Sequence, residues 1–336
     1  MKKISISIPA FNEEENILVF YEQISKYISD QISDYEFEFI FIDDGSKDKT
    51  ITLVRELEQK DSRVIGIELS RNYGKEIAMA AGFDHATGDA VITMDADLQH
   101  PFSALKEMIE LWELGYQDVY GRRVSRHCES RLKVSFSNTY YKLLNRMTKE
   151  HILANVGDFR LLDRQVVDAI KQVKERNRYT KGLYEWIGFH KIEFQFEAAE
   201  RFAGETKWDL RSLIKLAMEG ITSYTTAPLK LSTILGFVVS LIALLYMIFV
   251  FIDTIINGIP GTGIPTITIL VLFLGGIQLI SLGIMGEYLG RIFIEVKNRP
   301  LYFVNKNQKE ITKKVATLPN EKKVEHLRDQ VTENVS

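Results

Sequence analysis

Residues 90–101 read AVITMDADLQHP, and this stretch decides the predicted fold. Its apolar first half predicts a buried strand that stops abruptly at two carboxylates, Asp95 and Asp97. Open α/β folds bind ligands at the carboxyl ends of their strands, so both carboxylates are expected to face a cleft. Such oxygen ligands, with the amide oxygen of Gln99 nearby, suit Mg²⁺ or Mn²⁺ carried in with a substrate diphosphate. A solvated turn is the alternative, because Asp is common where strands end.

The first hundred residues carry the pattern of strands alternating with helices. Period-two or β-rich apolar runs predict further strands at 4–8, 37–42 and 64–69. Between these strands, apolar residues at helical spacing predict helices that begin at residue 17 and that span 49–60 and 74–86. This alternation predicts an α/β fold with a mostly parallel, Rossmann-like sheet and helices on both faces. The polar loops that end three of the strands are expected to converge on one cleft.

Composition excludes several classes of protein. The chain has 336 residues, enough for a full core and a second unit. Its net charge of −3 argues against general nucleic-acid binding. The single cysteine, Cys128, excludes an internal disulfide framework and a cysteine-rich zinc site. The first residues enter a predicted strand at once, so no signal peptide is expected.

Two long uncharged stretches indicate a membrane-spanning hairpin. No charged residue occurs between Leu231 and Ile252, and after Asp253 none occurs until Glu287. Because ~20 apolar residues cross a bilayer, transmembrane helices are predicted near 231–255 and 265–288. A buried hairpin of a soluble protein is the alternative, which is disfavoured because two such runs rarely lie back to back in a soluble core.

The charges around the predicted spans indicate their orientation. The loop between them carries Asp253 but no Lys or Arg. Basic residues lie outside both spans, at Lys207, Arg211, Lys215, Lys230, Arg291, Lys297 and Arg299. The positive-inside rule then places both termini and the α/β domain in the cytoplasm. The predicted organisation is an α/β domain at 1–205, a juxtamembrane segment at 206–230, the hairpin at 231–290 and a cytoplasmic tail at 291–336.

Two further segments are suited to a membrane surface. The apolar residues of 209–221 share one helical face, which predicts an interfacial amphipathic helix. Residues 122–149, here called the basic segment, are rich in Arg and Lys with apolar residues between them. A solvated charged helix is one interpretation of the basic segment. A site for lipid headgroups or a lipid phosphate is the other, because a membrane anchor is expected nearby. The polar residues 305–336 are expected to form a mobile tail.

Five motifs together carry a resemblance to a known family. They are PAFNE at 9–13, DDGS at 43–46, DADLQHP at 95–101, DFRLLDR at 158–164 and RFAGETKW at 201–208. With the two predicted spans, they resemble the GT-A-fold family 2 glycosyltransferases, in the polyprenyl-phosphate branch of bactoprenol glucosyltransferases and dolichol-phosphate mannose synthases. The resemblance covers roughly residues 1–300. One departure is Phe11, where many relatives carry Tyr, so a stacking surface remains without the hydroxyl.

The resemblance implies a role for each motif. A nucleotide sugar would be bound through its nucleoside by Pro9, Ala10, Phe11, Glu13 and Asp43. Asp95 would lie near the ribose or the diphosphate. Asp97 and Gln99 would hold Mg²⁺ or Mn²⁺ against the diphosphate. The acceptor phosphate and the donor phosphates would be gripped by Arg122, Arg126, Arg131, Arg201 and Lys207.

The resemblance also makes Asp158 the candidate base, beside Asp97 as a catalytic residue. A lipid monophosphate has a second pKa near ~6, so it is already mostly an anionic nucleophile at neutral pH. A general base should then contribute less than its usual ~10²–10⁴-fold. Asp158 is therefore expected to orient the acceptor, or to pair with Arg160 or the cation. A helix cap is the structural alternative for this residue.

The implied function is an integral transferase at the inner leaflet of a bacterial cell membrane. It would transfer a hexose from a nucleotide sugar to undecaprenyl phosphate with inversion, and so supply a lipid-linked sugar to the cell envelope. The resemblance favours UDP-glucose as the donor. UDP-N-acetylglucosamine and GDP-mannose stay open as donors, and a homo-oligomer stays open as the assembly. A processive polysaccharide synthase is disfavoured because the chain lacks a Gln-x-x-Arg-Trp element. An inactive membrane scaffold is disfavoured because it would not need Asp97 and Gln99 in register.

Overall fold

The computed structural model describes residues 1–124, 156–176, 178–197, 225–257 and 264–305. The basic segment beyond Val124, the predicted amphipathic helix at 209–221 and the tail from residue 306 lie outside the described residues. What is described forms one sheet with helices on both faces, together with two long apolar helices.

Seven strands form a single mixed sheet within the described residues. They are β1 (Lys3–Ala10), β2 (Glu36–Asp43), β3 (Val64–Glu68), β4 (Ala90–Thr93), β5 (Asp118–Arg123), β6 (Val156–Asp163) and β7 (Lys191–Phe196). Their order across the sheet is β3-β2-β1-β4-β6-β5-β7. β1 pairs in parallel with β2 and β4, and β2 pairs in parallel with β3, as expected for strands joined by helical crossovers. The predicted α/β class with a mostly parallel sheet is confirmed.

The sequence patterns do not predict the second half of the sheet, which includes antiparallel pairing. β6 runs antiparallel to both neighbours, β4 and β5, whereas β7 is parallel to β5. Arg160 of β6 lies opposite Thr93, the last residue of β4. Asp158 precedes Arg160 within the same strand, so the alternative that Asp158 caps a helix is wrong. The strand instead carries Asp158 to the edge at which β4 ends.

Helices cover both faces of the sheet, as predicted. The described helices are α1 (Ile17–Gln31), α2 (Thr50–Lys60), α3 (Lys75–His85), α4 (Ala104–Glu113), α5 (Arg164–Gln172), α6 (Thr180–Trp186), α7 (Ala227–Asn257) and α8 (Ile264–Val296). Buried apolar residues of α1, α2 and α4 pack against one face. Those of α3, α5 and α6 pack against the other. The sheet is therefore buried on both sides, and ligands can reach it at its edges.

The Ala-rich helix α3 lies directly on the middle of the sheet. Ala78 and Ala81 are fully buried. A Cβ added to Gly82 would come within 2.0 Å of Ser7 Oγ on β1, so only a glycine fits at this contact. Small side chains thus let the helix backbone approach the strands closely, and α3 begins beside the edge at which the parallel strands end.

The two long helices present an apolar surface to their surroundings. Each contains a stretch long and apolar enough to cross a membrane, at Ala227–Val250 and at Phe273–Val296. Neither stretch is buried inside the protein. Tyr288 of α8 donates a hydrogen bond to the carbonyl oxygen of Thr225, just before α7, at 2.6 Å. An exposed apolar surface of this extent needs a lipid or protein cover.

After α8 the chain returns to the edge of the sheet. Val304 pairs antiparallel with Leu69, the residue that follows β3. Tyr302 donates a hydrogen bond to Asp84 Oδ2 of α3 at 2.9 Å. These contacts define a return segment, residues 298–305, which lies beside the end of β3 and ties the end of α8 to the sheet.

A buried ion pair joins β5 to β6. Arg160 donates a hydrogen bond to Asp118 at 2.7 Å, and both side chains are 3% exposed. The Arg160 guanidinium also lies 3.7 Å from the centre of the Tyr184 ring on α6. The pair therefore holds the antiparallel part of the sheet and the helix above it.

Replacing Asp118 by alanine should leave Arg160 charged and unpaired in the core. Loss of one partner of a buried ion pair costs about 3–5 kcal/mol, so Asp118→Ala should lower the free energy of unfolding by that amount. Denaturant unfolding of the detergent-solubilised protein, followed by tryptophan fluorescence, measures the change. The control is Asp168→Ala, which breaks a 3.7 Å pair with Arg164 in which the Asp168 side chain is 55% exposed. This control should cost ~1 kcal/mol or less, and equal costs for both variants would contradict the assignment.

Candidate active site

Polar loops from three neighbouring strands meet at one edge of the sheet. Ala10 at the end of β1 lies opposite Asp43 at the end of β2. Ser7 of β1 lies opposite Thr93 at the end of β4. The carboxyl ends of the three parallel strands therefore share an edge, and the predicted convergence of their loops is confirmed.

The loop after β1 is fastened to the loop after β2. Asn12 adopts a φ of +55°. Its N–H donates to Ser46 Oγ at 2.9 Å, and its side-chain oxygen accepts from the Lys47 N–H at 2.9 Å. Phe11, just before it, is 41% exposed. Phe11 and Glu13, two of the predicted nucleoside residues, thus lie on a loop that the second loop holds in place.

The other predicted nucleoside residues near this loop lie on β1 and at the turn into α1. Pro9 and Ala10 are the last two residues of β1, and their backbone is part of the sheet. Glu13 accepts a hydrogen bond from the side-chain amide of Asn16 at 2.5 Å. That bond closes the turn that leads into α1, so Glu13 has a structural partner in addition to its predicted role.

Two adjacent carboxylates follow β2 and have different partners. Asp43 is 2% exposed, and its Oδ2 accepts from the Ser46 N–H at 3.2 Å. Its Oδ1 has no hydrogen-bond partner among the described residues, and burial raises the pKa of Asp43. Asp44 accepts from the N–H groups of Tyr73 and Gly74 at 2.7 and 2.8 Å. Asp44 therefore anchors the start of α3, whereas Asp43 offers a buried oxygen to a ligand.

The turn after β4 carries the second pair of carboxylates. Asp97 is 8% exposed and accepts from the Gln99 N–H at 3.2 Å. The Asp95 N–H donates to His100 Nδ1 at 3.3 Å, and the His100 ring stacks on Phe159 with centroids 4.4 Å apart. Burial lowers the pKa of His100, which favours the neutral ring that this acceptor role requires. The stacked ring fixes the shape of the turn and hence the positions of both carboxylates.

One lysine lies between carboxylates from two different strands. Lys75 Nζ is 2.6 and 2.8 Å from the two carboxylate oxygens of Asp95 and 3.2 Å from Asp158 Oδ2. The Asp158 side chain is 14% exposed. Burial alone would raise the pKa of Asp158, but the charges of Lys75 and Lys181 outweigh burial and lower this pKa to about 2. Asp158 is therefore an anion at physiological pH.

Two arginines at the end of β5 reach different partners. Arg122, predicted to bind the acceptor phosphate, lies 3.2 Å from Glu193 Oε2 on β7. Arg123 donates a hydrogen bond to Gln99 Oε1 at 3.2 Å and so contacts one of the two predicted metal ligands. The other cations predicted at the phosphates lie outside the described residues, namely Arg126, Arg131, Arg201 and Lys207.

Lys75 and Arg123 are site residues that the sequence analysis missed. Lys75 is the first residue of α3, after Gly74 with a φ of +96°. The positive end of a helix dipole disfavours a lysine at that position, so its presence signals a carboxylate partner elsewhere in the fold. Arg123 carries no such signal, because its partner Gln99 is distant in sequence and lies on the turn after β4.

The residues at this edge fit a divalent cation that arrives with its substrate. The part of the chain that the structure describes contains no group of three or more His, Cys, Asp or Glu able to hold a metal ion. Mg²⁺ commonly takes one or two carboxylates and completes its coordination with substrate phosphates and water. The Asp97 carboxylate and the Gln99 amide oxygen could supply two such ligands on one turn. A diphosphate would have to supply the rest.

Solved structures share the fold only distantly. Glucosyl-3-phosphoglycerate synthase from Mycobacterium tuberculosis, in complex with Mn²⁺ and UDP-glucose, is 18% identical with a TM-score of 0.43, over 66% of this chain and 77% of that chain. Mannosyl-3-phosphoglycerate synthase from Rubrobacter xylanophilus is 16% identical with a TM-score of 0.43, over 65% and 71% of the two chains. At these scores the likeness carries no argument about the site.

Sequence relatives are much closer. The profile of "Glycosyl transferase family 2" matches residues 5–171. The SfII prophage-derived bactoprenol glucosyl transferase of Shigella flexneri is 44% identical over 307 residues, 91% of this chain and 99% of the relative. The putative glycosyltransferase CsbB of Bacillus subtilis is 43% identical over 317 residues, 94% of this chain and 93% of the relative. The chain therefore belongs to glycosyl transferase family 2, with a GT-A fold, in the group whose members include the bactoprenol glucosyl transferases.

Proposed function

We propose that the protein transfers glucose from UDP-glucose to a polyprenyl phosphate, with inversion at the anomeric carbon, on the cytoplasmic face of a bacterial cell membrane. One observation carries the proposal: the sheet brings Asp43, Asp97 and Asp158 to the same edge, and the chain belongs to family 2. Relatives named bactoprenol glucosyl transferases support the sugar and the acceptor. The two apolar helices suit an acceptor whose tail stays in the bilayer.

The loops after β1 and β2 form the proposed nucleoside site. Uracil presents an N–H donor, and Asp43 offers a buried oxygen that has no partner in the described part of the chain. Accepting that N–H would stabilise the ionised carboxylate, which opposes the effect of burial on the pKa of Asp43. Phe11 supplies an exposed ring against which the base can stack.

The turn after β4 forms the proposed diphosphate site. Asp97 and Gln99 would hold Mg²⁺ or Mn²⁺ there. A bound divalent cation would neutralise the charge that develops on the leaving nucleotide. Arg123 orients the Gln99 amide by donating to its oxygen. The guanidinium carries further N–H donors that suit a phosphate oxygen.

Asp158 is proposed to orient the acceptor rather than to remove a proton. Its pKa of about 2 makes it a poor proton acceptor at neutral pH. The acceptor phosphate needs no strong base, because its second pKa is near ~6. An ionised Asp158 would repel that phosphate unless cations lie between them, and the basic segment is the proposed source of those cations. Asp158 then fixes the positions of the charged groups around the attacking oxygen.

The apolar helices are proposed to form a membrane hairpin with the GT-A domain on the cytoplasmic side. The contact between Tyr288 and Thr225 brings the end of α8 close to the start of α7. The return segment attaches that end to the sheet. Both ends of the hairpin therefore lie on the side of the catalytic domain. The basic residues around these ends favour the cytoplasm for that side.

Transfer by the purified protein in detergent tests the proposed function. UDP-glucose, UDP-N-acetylglucosamine and GDP-mannose are supplied separately with Mg²⁺ and undecaprenyl phosphate, and the lipid product is identified by mass spectrometry. A hexosyl lipid formed from UDP-glucose is the expected product. A product formed only from another nucleotide sugar would replace the proposed donor. A folded protein that forms no product from any of the three would be better explained as a scaffold.

Metal dependence is expected to rest on Asp97. Asp97→Asn should lower turnover at least about 100-fold, because it removes the anionic ligand of the cation, with folding and membrane insertion intact. EDTA should silence the wild type, and Mg²⁺ or Mn²⁺ should restore it. Asp30→Asn, at an exposed position of α1, is the control and should be fully active. Full activity of the wild type in EDTA would show that transfer does not need a divalent cation.

Donor and acceptor binding are expected to depend on different residues. Asp43→Ala should weaken UDP binding by about 1.5–3 kcal/mol, the value of a hydrogen bond to a charged group, with little effect on the KM for the lipid. Arg126→Ala should do the reverse, because it removes a cation of the basic segment. Calorimetry with UDP and turnover against lipid concentration give the two quantities. If Arg126→Ala loses UDP binding as severely as Asp43→Ala, this division of the cleft is wrong.

Cysteine labelling checks the proposed orientation. In a protein with Cys128 replaced by serine, Gly261→Cys in the loop between the spans should react with an impermeant thiol reagent added to intact cells. Glu22→Cys, at an exposed position of α1, should react only after the cells are opened. Reaction of Glu22→Cys in intact cells would place the catalytic domain outside.

A further inference from the structure

The ammonium of Lys75 is surrounded by carboxylates of the protein. An ammonium has three N–H donors. Three carboxylate oxygens lie within reach of Lys75 Nζ, two of Asp95 at 2.6 and 2.8 Å and one of Asp158 at 3.2 Å. The side chain is 45% exposed, but its ammonium is paired with carboxylates of the protein through one hydrogen bond to Asp95 Oδ2 and ion-pair contacts with Asp95 Oδ1 and Asp158 Oδ2. Its position is that of a bridge between two side chains of the protein.

The backbone around Lys75 is held on both sides. Before it, Asp44 accepts from the Gly74 N–H at 2.8 Å. After it, Glu76 accepts from the Thr180 N–H of α6 at 3.0 Å and also from the Thr180 hydroxyl. The first turn of α3 is therefore fixed to the loop after β2 and to α6. These contacts hold the backbone of Lys75 in place and so restrict the position of its ammonium.

Other cations near Asp158 do not replace this contact. Arg160, on the same strand, donates to Asp118 and stacks on Tyr184 in the core. Lys181 acts on Asp158 through its charge. Without the Lys75 ammonium, Asp95 and Asp158 would be two anions facing each other across neighbouring strands, and like charges in this arrangement separate or take up a proton.

We propose that Lys75 is a positioning residue of the transfer reaction, which holds Asp158 and Asp95 together as one fixed anionic pair beside the cleft. The proposal rests on the proposed function, in which Asp158 orients the acceptor. Removing the ammonium would displace Asp158, whereas Asp95 keeps its backbone hydrogen bond to His100 and the proposed cation ligands Asp97 and Gln99 are retained. Lys75 therefore affects the rate of transfer through Asp158 much more than it affects donor affinity.

The first test separates turnover from donor binding in the full-length protein in detergent. Lys75→Met should lower turnover at least about 100-fold, as expected for a lost catalytic contact, while its UDP affinity by calorimetry changes less than about 3-fold. Lys75→Arg keeps the charge and should regain at least about tenfold of the loss. Lys106→Met, at an exposed position of α4, is the matched control and should be fully active. A loss of UDP affinity as large as the loss of turnover would make Lys75 a substrate ligand and overturn the proposal.

The second test asks whether Lys75 acts through Asp158. In an Asp158→Asn background, adding Lys75→Met should change turnover by less than about 3-fold, because residues that act as a unit are not additive. Multiplied losses in the double variant would show independent action and overturn the proposal.

Unfolding of the wild type, Lys75→Met, Asp158→Asn and the double variant gives a measurement that does not need activity. The midpoint shift of the double variant should be smaller than the sum of the shifts for Lys75→Met and Asp158→Asn, because both substitutions remove the Lys75–Asp158 contact. Additive shifts would overturn the proposal. If the wild type transfers no sugar from any donor, the proposed function fails, and the unfolding cycle alone decides whether Lys75 positions Asp158.

Discussion

Carboxylates that parallel and antiparallel strands bring to one edge of a sheet repel each other, and the cleft is arranged around that constraint. The protein stabilises them in different ways. Asp44 takes two backbone N–H groups at the start of α3. Asp95 and Asp158 share the ammonium of Lys75, the first residue of the same helix. The start of α3 thus serves three of these carboxylates, and the small residues that let α3 lie close on the sheet are part of the site.

The same helix connects the cleft to the apolar hairpin. The return segment contacts α3 through Tyr302 and Asp84, near the end opposite to Lys75. Glu295, at the end of α8, accepts a hydrogen bond from the Arg176 N–H at 2.9 Å, in the loop that leads to α6. The carboxylate cleft is therefore one helix away from the apolar hairpin that is proposed to span the membrane. A lipid phosphate held at the membrane surface would meet a catalytic domain whose orientation these contacts determine.

The four strands and three helices of the first hundred residues could be predicted from local patterns, because apolar periodicity and polar strand ends are properties of neighbouring residues. β6 could not, because its antiparallel pairing with β4 joins residues about seventy positions apart, such as Thr93 and Arg160. The bridge by Lys75 depends on that pairing and was missed for the same reason. Asp158 was identified by resemblance to a family, and its place on a strand emerged only from the fold.

In the proposed site, this edge binds the donor diphosphate through Asp97 and Gln99, while Lys75 stays with Asp95 and Asp158. The decisive measurement is an experimental structure with UDP-glucose and Mn²⁺, in which the cation is located by its anomalous scattering. We expect a cation coordinated directly by an Asp97 oxygen and by the diphosphate, with the Lys75 ammonium still between its two carboxylates. A cation found between Asp95 and Asp158, with Lys75 displaced, would contradict this arrangement.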